Sequence, residues 1–97
     1  MDSIKIPEMF QSKIRLAIIT ALISGEKSFK ALKQITEATD GNLSTHLAKL
    51  EEAEYISCKK EFVGKKPSTT YSLKEKGRKE FTAYVDLLYN AVHSDEE

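Results

Sequence analysis

The sequence predicts a mainly α domain of the α+β class, in which three helices are followed by a β-hairpin and a C-terminal helix. Apolar residues recur three and four positions apart in four separate segments, which is the spacing of one face of a helix. Between the third and fourth segments the period changes to two, because Ile56 and Cys58 share one face and the alternation resumes at Tyr71 and Leu73. The change from helical to strand period and back defines the order of the elements.

Size and charge limit the classes of function that the chain can serve. Its 97 residues and 40 % hydrophobic content support one domain over residues 1–97, with a small core that a partner subunit would help to stabilise. The formal net charge is zero, but the charges are unevenly placed along the chain. Between positions 59 and 79 there are eight basic residues and two acidic ones, namely Lys59, Lys60, Lys65, Lys66, Lys74, Lys76, Arg78 and Lys79 against Glu61 and Glu75.

Catalytic, metal-binding and membrane functions find little support in the residue pattern. His46 and His93 are far apart in the sequence, and the lone cysteine, Cys58, has no evident base beside it, so we expect no enzyme, no metal and no cofactor. A single cysteine excludes an internal disulfide and fits a reducing cytoplasm. No secretion signal is visible, and the longest apolar run is far shorter than the roughly 20 residues of a membrane span. We therefore expect a cytoplasmic protein.

The first helix follows a loose arm over residues 1–7. It begins either with Pro7 at its first position or with Ser12 as its N-cap, and it ends at Gly25. It carries two apolar stripes on opposite sides, so one can face the core while the other favours a second subunit; burial on all sides within the monomer is the alternative. The first stripe comprises Phe10, Ile14, Ala17, Ile18 and Ala21, and the second comprises Met9, Leu16, Ile19 and Ile23.

The second helix is short and leads directly into the third. Ser28 can cap a helix that ends near Thr36, and a break at residues 37–38 precedes the next helical segment. Two helices joined by a short turn recur in DNA-binding proteins, where the first braces the second, but they also occur in many unrelated proteins. The inward residues of the second helix are predicted to be Phe29, Leu32 and Ile35.

The third helix, over residues 39–53, has one face of unusual composition. Leu43, Leu47 and Leu50 form its apolar stripe, and the opposite side carries small, hydrogen-bonding side chains that can enter a DNA major groove. An ordinary amphipathic helix is the alternative. Thr39 can cap the helix, and Gly41, which costs roughly 1 kcal/mol relative to Ala, indicates close approach of a neighbouring helix or a phosphate. The outward residues are Asn42, Thr45, Ala48 and Lys49.

The hairpin is predicted to carry positive charge on its turn. Phe62 is expected on the same inward side as Ile56 and Cys58, and the turn region spans residues 63–69. The two adjacent lysines of this turn suit a phosphate backbone, or they keep a strand edge soluble. The turn residues that matter here are Gly64, Lys65, Lys66 and Pro67.

The last helix starts near Glu75 and runs to about Val92, and the tail over residues 94–97 is expected to be disordered. Its apolar face is wider than one contact requires, so residues 75–93 are predicted to be a dimerisation helix and residues 8–74 to form the core and hairpin. The members of this face are Phe81, Tyr84, Val85, Leu88 and Val92, widened by Ala83, Leu87 and Ala91.

This order of elements is that of a winged helix-turn-helix, and the residues themselves resemble a known family. The segments DGNLSTHLAKLEEA (40–53) and FVGKKPST (62–69), with Gly77, Arg78 and Phe81, are similar to small single-domain winged-helix transcriptional regulators related to the MarR and ArsR groups. The likeness extends back to residues 14–16 and so covers most of the chain. It implies a homodimer that binds double-stranded DNA with the third helix in the major groove and the hairpin, or wing, on the backbone. A two-fold dimer presents the third helix twice, so the operator is expected to be a pseudo-palindrome.

The resemblance and the residue chemistry together give the expected site. Lys donates to guanine, Asn can pair with adenine and the Thr methyl can pack on thymine, so the base-reading residues are expected to be Asn42, Ser44, Thr45 and Lys49. The DNA backbone is expected to be held by Arg15, Gly41, His46, Lys59, Lys60, Lys65, Lys66, Ser68 and Thr69. The dimer interface is expected to include Met9, Leu16, Ile19, Ile23, Tyr84, Leu87, Leu88 and Ala91.

Two departures from the family pattern concern the ends of helices. Glu54 stands where the family usually has Gly, so the left-handed helix cap there is either made at a steric cost or replaced. Lys74 stands where a capping Thr is common. The competing function is a winged-helix module for protein–protein contact without DNA binding, which the zero net charge permits.

Overall fold

The computed structural model describes residues 5–94, so positions 1–4 of the predicted arm and 95–97 of the predicted tail lie outside the described residues. Within that range the three strands form one antiparallel sheet in the order β1-β3-β2. The predicted winged-helix order of elements is confirmed, and the two-residue strand β1 was not predicted. The elements are a 3-10 turn (Glu8–Phe10), α1 (Lys13–Leu22), β1 (Lys27–Ser28), α2 (Phe29–Thr36), α3 (Asp40–Glu52), β2 (Ile56–Val63), β3 (Lys66–Leu73) and α4 (Glu75–Val92).

Hydroxyl side chains cap the first three helices, as the sequence predicts for Ser28 and Thr39. The Ser28 Oγ accepts from the backbone N of the residue three positions on at 3.0 Å, and the Thr39 Oγ1 does so at 3.1 Å. Of the two predicted starts of the first helix, the one at Ser12 is confirmed, because Ser12 caps α1, whereas the start at Pro7 is wrong, because Pro7 precedes a separate 3-10 turn. The helix ends at Leu22, three residues before the predicted end.

The core is built around one face of α1. Arg15, Ile18, Ile19 and Leu22 are buried, and their spacing of three, four and seven positions places them on a single face. Ile19 is fully buried among its own chain's residues, so its predicted place in a dimer interface is wrong. The sequence put Ile18 and Ile19 on opposite stripes, although neighbouring residues of a helix are only about 100° apart.

The predicted inward stripe of α3 is confirmed, whereas two other inward predictions are wrong. Leu43, Leu47 and Leu50 are all 1 % exposed or less. Ile35 is 48 % exposed because α2 ends one residue later and its last turn lies at the surface. Phe62 is 74 % exposed because the hairpin extends beyond the helices that cover the base of β2.

The junction between α3 and β2 depends on a strained residue. Glu54 has φ +67°, in the left-handed region that favours glycine. The Tyr55 N–H donates to the Leu50 carbonyl at 2.9 Å and the Glu54 N–H to the Glu51 carbonyl at 3.0 Å, which is the Schellman pattern of helix ends. Lys74 pairs with the Glu54 carboxylate at 2.6 Å, and this ion pair lowers the pKa of Glu54. Of the two alternatives at this position, the left-handed cap is therefore made by Glu54 despite its steric cost rather than replaced.

The first half of α4 is held against the domain at Tyr55. The Tyr55 carbonyl accepts from the Lys74 N–H at 2.8 Å, and Gly77 lies against the same carbonyl. The Tyr55 hydroxyl donates to the Glu80 carboxylate, and burial together with this carboxylate raises the pKa of Tyr55. The ring of Phe10 lies 5.7 Å from that of Tyr55 and 5.4 Å from that of Tyr84. These contacts anchor α4 as far as Tyr84.

The second half of α4 extends away from the domain. The helix has 18 residues, and the described chain is 59 Å long against 22 Å in the other two directions. Its large apolar side chains are between 39 % and 76 % exposed, so much of their surface is uncovered within the described part of the chain, although the Tyr89 ring contacts that of His93. We call this surface the α4 apolar face; it comprises Val85, Leu87, Leu88, Tyr89 and Val92.

Candidate nucleic-acid interface

The exposed side of α3 carries the four residues predicted to read bases. Asn42, Ser44, Thr45 and Lys49 are all exposed, on the side away from the buried leucine stripe. The Thr45 hydroxyl donates to the Gly41 carbonyl at 2.9 Å, which fixes the side chain and leaves the hydroxyl oxygen as an acceptor. Between the first and last of these positions no acidic residue interrupts the surface. We call this surface the α3 polar face.

The start of α3 is open where the sequence suggested a close neighbour. A Cβ atom built on Gly41 would have nothing within 4 Å, so the predicted approach of a neighbouring helix is wrong. The other predicted neighbour, a phosphate, stays a prediction. Lys33 of α2 pairs with the Asp40 carboxylate at 2.7 Å, which neutralises the acidic residue in the first turn of α3.

The β2–β3 hairpin turns more tightly than predicted. Val63 pairs with Lys66, so the loop contains Gly64 and Lys65 alone and Ser68 belongs to a strand. Gly64 has φ +67° and Lys65 does not have a positive φ, the pattern of a type II′ turn with glycine first. Lys65 is therefore at the tip, and Lys66 begins the returning strand.

Alternation along the strands separates the predicted backbone contacts into two groups. Lys60 pairs with Thr69. Because side chains two positions apart on a strand lie on the same face, these two residues share a face with Cys58 and Ile56, which face the core. On the same reasoning the other face holds Lys59, Lys66 and Ser68. Lys59 pairs with Glu61 at 3.7 Å, whereas Lys60, Lys65 and Lys66 make no ion pair within residues 5–94. The six predicted backbone contacts of the hairpin therefore cannot all approach one nucleic-acid strand. The residues of one hairpin face, together with the tip, can do so.

Two apolar residues near the hairpin tip were not predicted as part of the site. Phe62 and Val63 are 74 % and 65 % exposed, beside the unpaired lysines. Their exposure could not be predicted from the sequence, because Phe62 continues the inward alternation of Ile56 and Cys58, which indicates a core position. Cys58 does pack against the core.

Arg15 does not lie where a DNA backbone contact requires it. It is 7 % exposed, and its guanidinium donates to the carbonyls of Glu8 and Met9 at 3.0 Å each and to His46 Nδ1 at 3.1 Å. The predicted backbone contact of Arg15 is therefore wrong, because its guanidinium is buried and is already hydrogen-bonded to the 3-10 turn and to His46. His46 itself is partly exposed on α3. Burial, then the charges of Arg15 and Lys49, lower the pKa of His46 below its usual 6.5.

The predicted dimer residues differ in accessibility. Leu87 is 41 % and Leu88 39 % exposed, and Ala91 is exposed beside them, so all three are available on the outer half of α4. Ile19 is buried. The remaining four residues are partly accessible: three of them pack against the core of their own chain, and Ile23 lies at the end of α1. These partly accessible residues are Met9, Leu16, Ile23 and Tyr84.

A shallow apolar groove of about 540 Å³ runs beside the outer side of α1. Its lining combines small and apolar side chains with the side chains of Lys13 and Lys27. The lining residues are Lys13, Leu16, Ala17, Thr20, Ala21, Ser24, Lys27 and Ile35.

Residues 5–94 contain neither a metal-binding group nor a membrane span. In that part of the chain no group of three or more His, Cys, Asp or Glu side chains is arranged to hold a metal ion. No helix there is both long enough and apolar enough to cross a bilayer.

Comparison with known families decides the class of domain. The family model described as a winged helix DNA-binding domain matches residues 14–92. The chain belongs to this family. The predicted resemblance to winged-helix proteins is thereby confirmed, and the β2–β3 hairpin of this winged helix domain is its wing.

Relatives and solved structures agree with the assignment to winged helix domains. The uncharacterized protein MJ0432 of Methanocaldococcus jannaschii is 35 % identical over 79 residues, which are 80 % of this chain and 86 % of that protein. A transcriptional regulator homologue from Pyrococcus horikoshii OT3 superposes with a TM-score of 0.81 at 20 % identity, covering 91 % of this chain and 88 % of that one. PadR of Bacillus subtilis, solved in complex with operator DNA, gives a TM-score of 0.64 at 22 % identity, covering 75 % of this chain and 46 % of PadR. At these identities the solved structures show a shared fold.

Proposed function

We propose that the protein is a sequence-specific DNA-binding transcriptional regulator that acts as a homodimer. The α3 polar face carries this proposal, because a surface helix usually exposes Glu and Lys rather than small hydrogen-bonding side chains. The chemistry of these side chains suits the major groove, which admits an α-helix. Membership of the winged helix DNA-binding family and the operator complex of the structural neighbour PadR support the same function.

In this proposal sequence is read by α3. Lys49 donates to guanine, Asn42 makes paired hydrogen bonds to adenine, and the Thr45 methyl packs on thymine. Thr45 is the main determinant, because it lies nearly opposite the buried stripe. A two-fold dimer presents α3 twice, so the operator is a pseudo-palindrome with half-sites separated by about 10 base pairs or a multiple of that spacing.

The wing contributes affinity that does not depend on sequence. Lys65 at its tip and Lys66 beside it are exposed and make no ion pair within the described residues, so their charges are available to phosphates. Lysine binds phosphate as a point charge rather than through a two-pronged contact, which suits general backbone attraction. Removing one lysine–phosphate interaction should reduce the slope of log affinity against log salt by about one unit per bound subunit.

The α4 apolar face is proposed as the main dimer contact. An exposed patch of this kind is uncommon on a monomer of this size, and covering it removes apolar surface from water. The α1 groove offers a second apolar surface on the same chain. In a two-fold symmetric dimer, both subunits bury both of these surfaces. The proposed interface therefore keeps Leu16, Leu87, Leu88 and Ala91 and omits Ile19.

Affinity measured on two duplexes tests the assignment of roles. Substituting Thr45 by Ala or Lys49 by Ala should cost about 1–3 kcal/mol on a selected operator and little on random DNA. Substituting both Lys65 and Lys66 by Ala should weaken binding to both duplexes alike. Equal losses on both duplexes for Thr45→Ala would contradict base reading by α3. A dimer that binds no DNA even at low salt would favour the protein–protein module instead.

A further inference from the structure

Arg15 links three parts of the domain that are separate in sequence. Its Nε donates to the Met9 carbonyl and one Nη to the Glu8 carbonyl, so it holds the 3-10 turn against α1. The other Nη lies 3.1 Å from Nδ1 of His46 on α3. A residue buried to this degree with contacts to two other elements fixes their relative positions. One of those elements is the helix that carries the proposed base-reading residues.

The contact between Arg15 and His46 determines where the imidazole proton lies. A guanidinium has donors and no acceptor, and it keeps its charge in proteins. His46 Nδ1 must therefore accept, which requires a lone pair on Nδ1 and, in the neutral ring, the proton on Nε2. The lowered pKa of His46, caused by burial and by the charges of Arg15 and Lys49, agrees with a neutral ring.

The second nitrogen of the ring is available to a ligand. Within residues 5–94, Nε2 of His46 has no hydrogen-bond partner. Every buried side-chain nitrogen and oxygen in that range does have a partner, so Nε2 is not buried and is in contact with solvent. On a helix His46 lies about 60° from Lys49 and about 40° from Asn42 around the axis. The open N–H group therefore borders the α3 polar face, where the DNA backbone would pass if α3 enters the major groove.

We propose that Arg15 is a positioning residue for DNA binding, which fixes His46 in the Nε2–H form so that this N–H donates to a DNA phosphate beside α3. The inference rests on the proposed function, since it requires a bound duplex. It gives Arg15 a role in DNA binding without contact to DNA. A lysine cannot replace it, because one ammonium does not reproduce the planar fork that reaches Glu8, Met9 and His46 together.

The ring proton can be located without DNA. Nitrogen-15 NMR of the imidazole in the wild-type protein should show the Nε2–H form, and Arg15→Met should produce a mixture of the two neutral forms. A proton found on Nδ1 of His46 in the wild-type protein would overturn the proposal. This measurement uses the unmodified chain, so it stands even if Arg15→Met fails to fold.

Affinity for a duplex tests the path from Arg15 to phosphate. His46→Ala should weaken binding about tenfold on operator and random DNA alike, whereas His46→Gln, which keeps a donor at the ε position, should stay within about threefold. Arg15→Met should cost about tenfold in the wild-type background and less than about twofold in His46→Ala. Lys79→Met, which removes an exposed charge of α4 that takes no part in the Arg15–His46 contact, is the control and should change affinity by less than about twofold.

Two results would contradict this inference, and they are distinguishable from failure of the proposed function. If the wild-type protein binds DNA and His46→Ala binds it equally well, the phosphate contact is wrong while DNA binding stands. Losses for Arg15 and His46 that multiply in the double variant would show that Arg15 acts independently of the ring. Absence of any duplex binding by the wild-type protein at low salt would overturn both the function and this inference.

Discussion

Replacing Gly77 by Ala should destabilise the protein, although alanine is the better helix former. A Cβ atom at this position of α4 would overlap the Tyr55 backbone oxygen and would lie 3.0 Å from Leu73 Cδ1. The Tyr55 carbonyl cannot move freely, because it accepts the Lys74 N–H at 2.8 Å. Such overpacking costs about 1–3 kcal/mol and a weakened hydrogen bond about 1 kcal/mol, against about 1 kcal/mol gained in helix propensity. We expect a net loss of about 1–3 kcal/mol.

The assay is urea unfolding followed by circular dichroism at a fixed protein concentration, since association would stabilise the folded state. Each kcal/mol should also lower the melting temperature by about 4–8 °C in a domain of this size. Gly41→Ala is the matched control, because Gly41 is also helical but its Cβ would meet nothing within 4 Å. It should be neutral or stabilising by up to about 1 kcal/mol. A Gly77→Ala protein as stable as the wild type would refute the close packing of α4 on Tyr55.

Three further predictions concern the helix cap, a titrating histidine and the dimer. Glu54→Gly should be more stable than Glu54→Ala in the same urea assay, because both lose the carboxylate but only Gly relieves the left-handed strain at φ +67°; equal stabilities would exclude that strain. The lowered pKa of His46 means that, as pH falls below about 6.5, the unfolded chain takes up a proton that the folded chain resists, so stability should decline with acid and His46→Gln should flatten this decline. A decline between about pH 7.5 and 5.5 that His46→Gln leaves unchanged would assign it to other groups. Substituting Leu87 and Leu88 together by Glu should give a folded monomer in sedimentation where the wild type is a dimer at micromolar concentration; a wild-type monomer there would end the dimer proposal.

The parts of the fold that local chemistry determines could be predicted from the sequence. Ser28 and Thr39 cap helices because their hydroxyls reach the backbone N–H three residues on, and this depends on a few adjacent residues. The leucine stripe of α3 follows from its period in the same way. The position of Gly64 at a hairpin turn is similarly a local matter, although the turn proved shorter than predicted.

The errors arose where tertiary contacts decide the outcome. Arg15 is a charged residue whose burial depends on three acceptors from two other elements, and no local pattern indicates them. Ile19 is buried because α1 is central, which depends on how the other elements pack around it. Phe62 obeys the strand alternation, but the helices that would cover it end before the hairpin does. The exposed face of α3 was predictable because exposure there follows from the buried stripe.

Binding of the unmodified protein to selected and random duplexes at two salt concentrations tests the central claim most directly. Genomic fragments enriched on the protein supply the selected duplex, and sedimentation of the complex gives the number of chains bound. We predict two chains on a pseudo-palindromic site, with affinity at least about a thousandfold above that for random DNA, and weaker binding to both at higher salt. Equal affinity for selected and random duplexes, or one chain bound per site, would contradict a sequence-specific dimer.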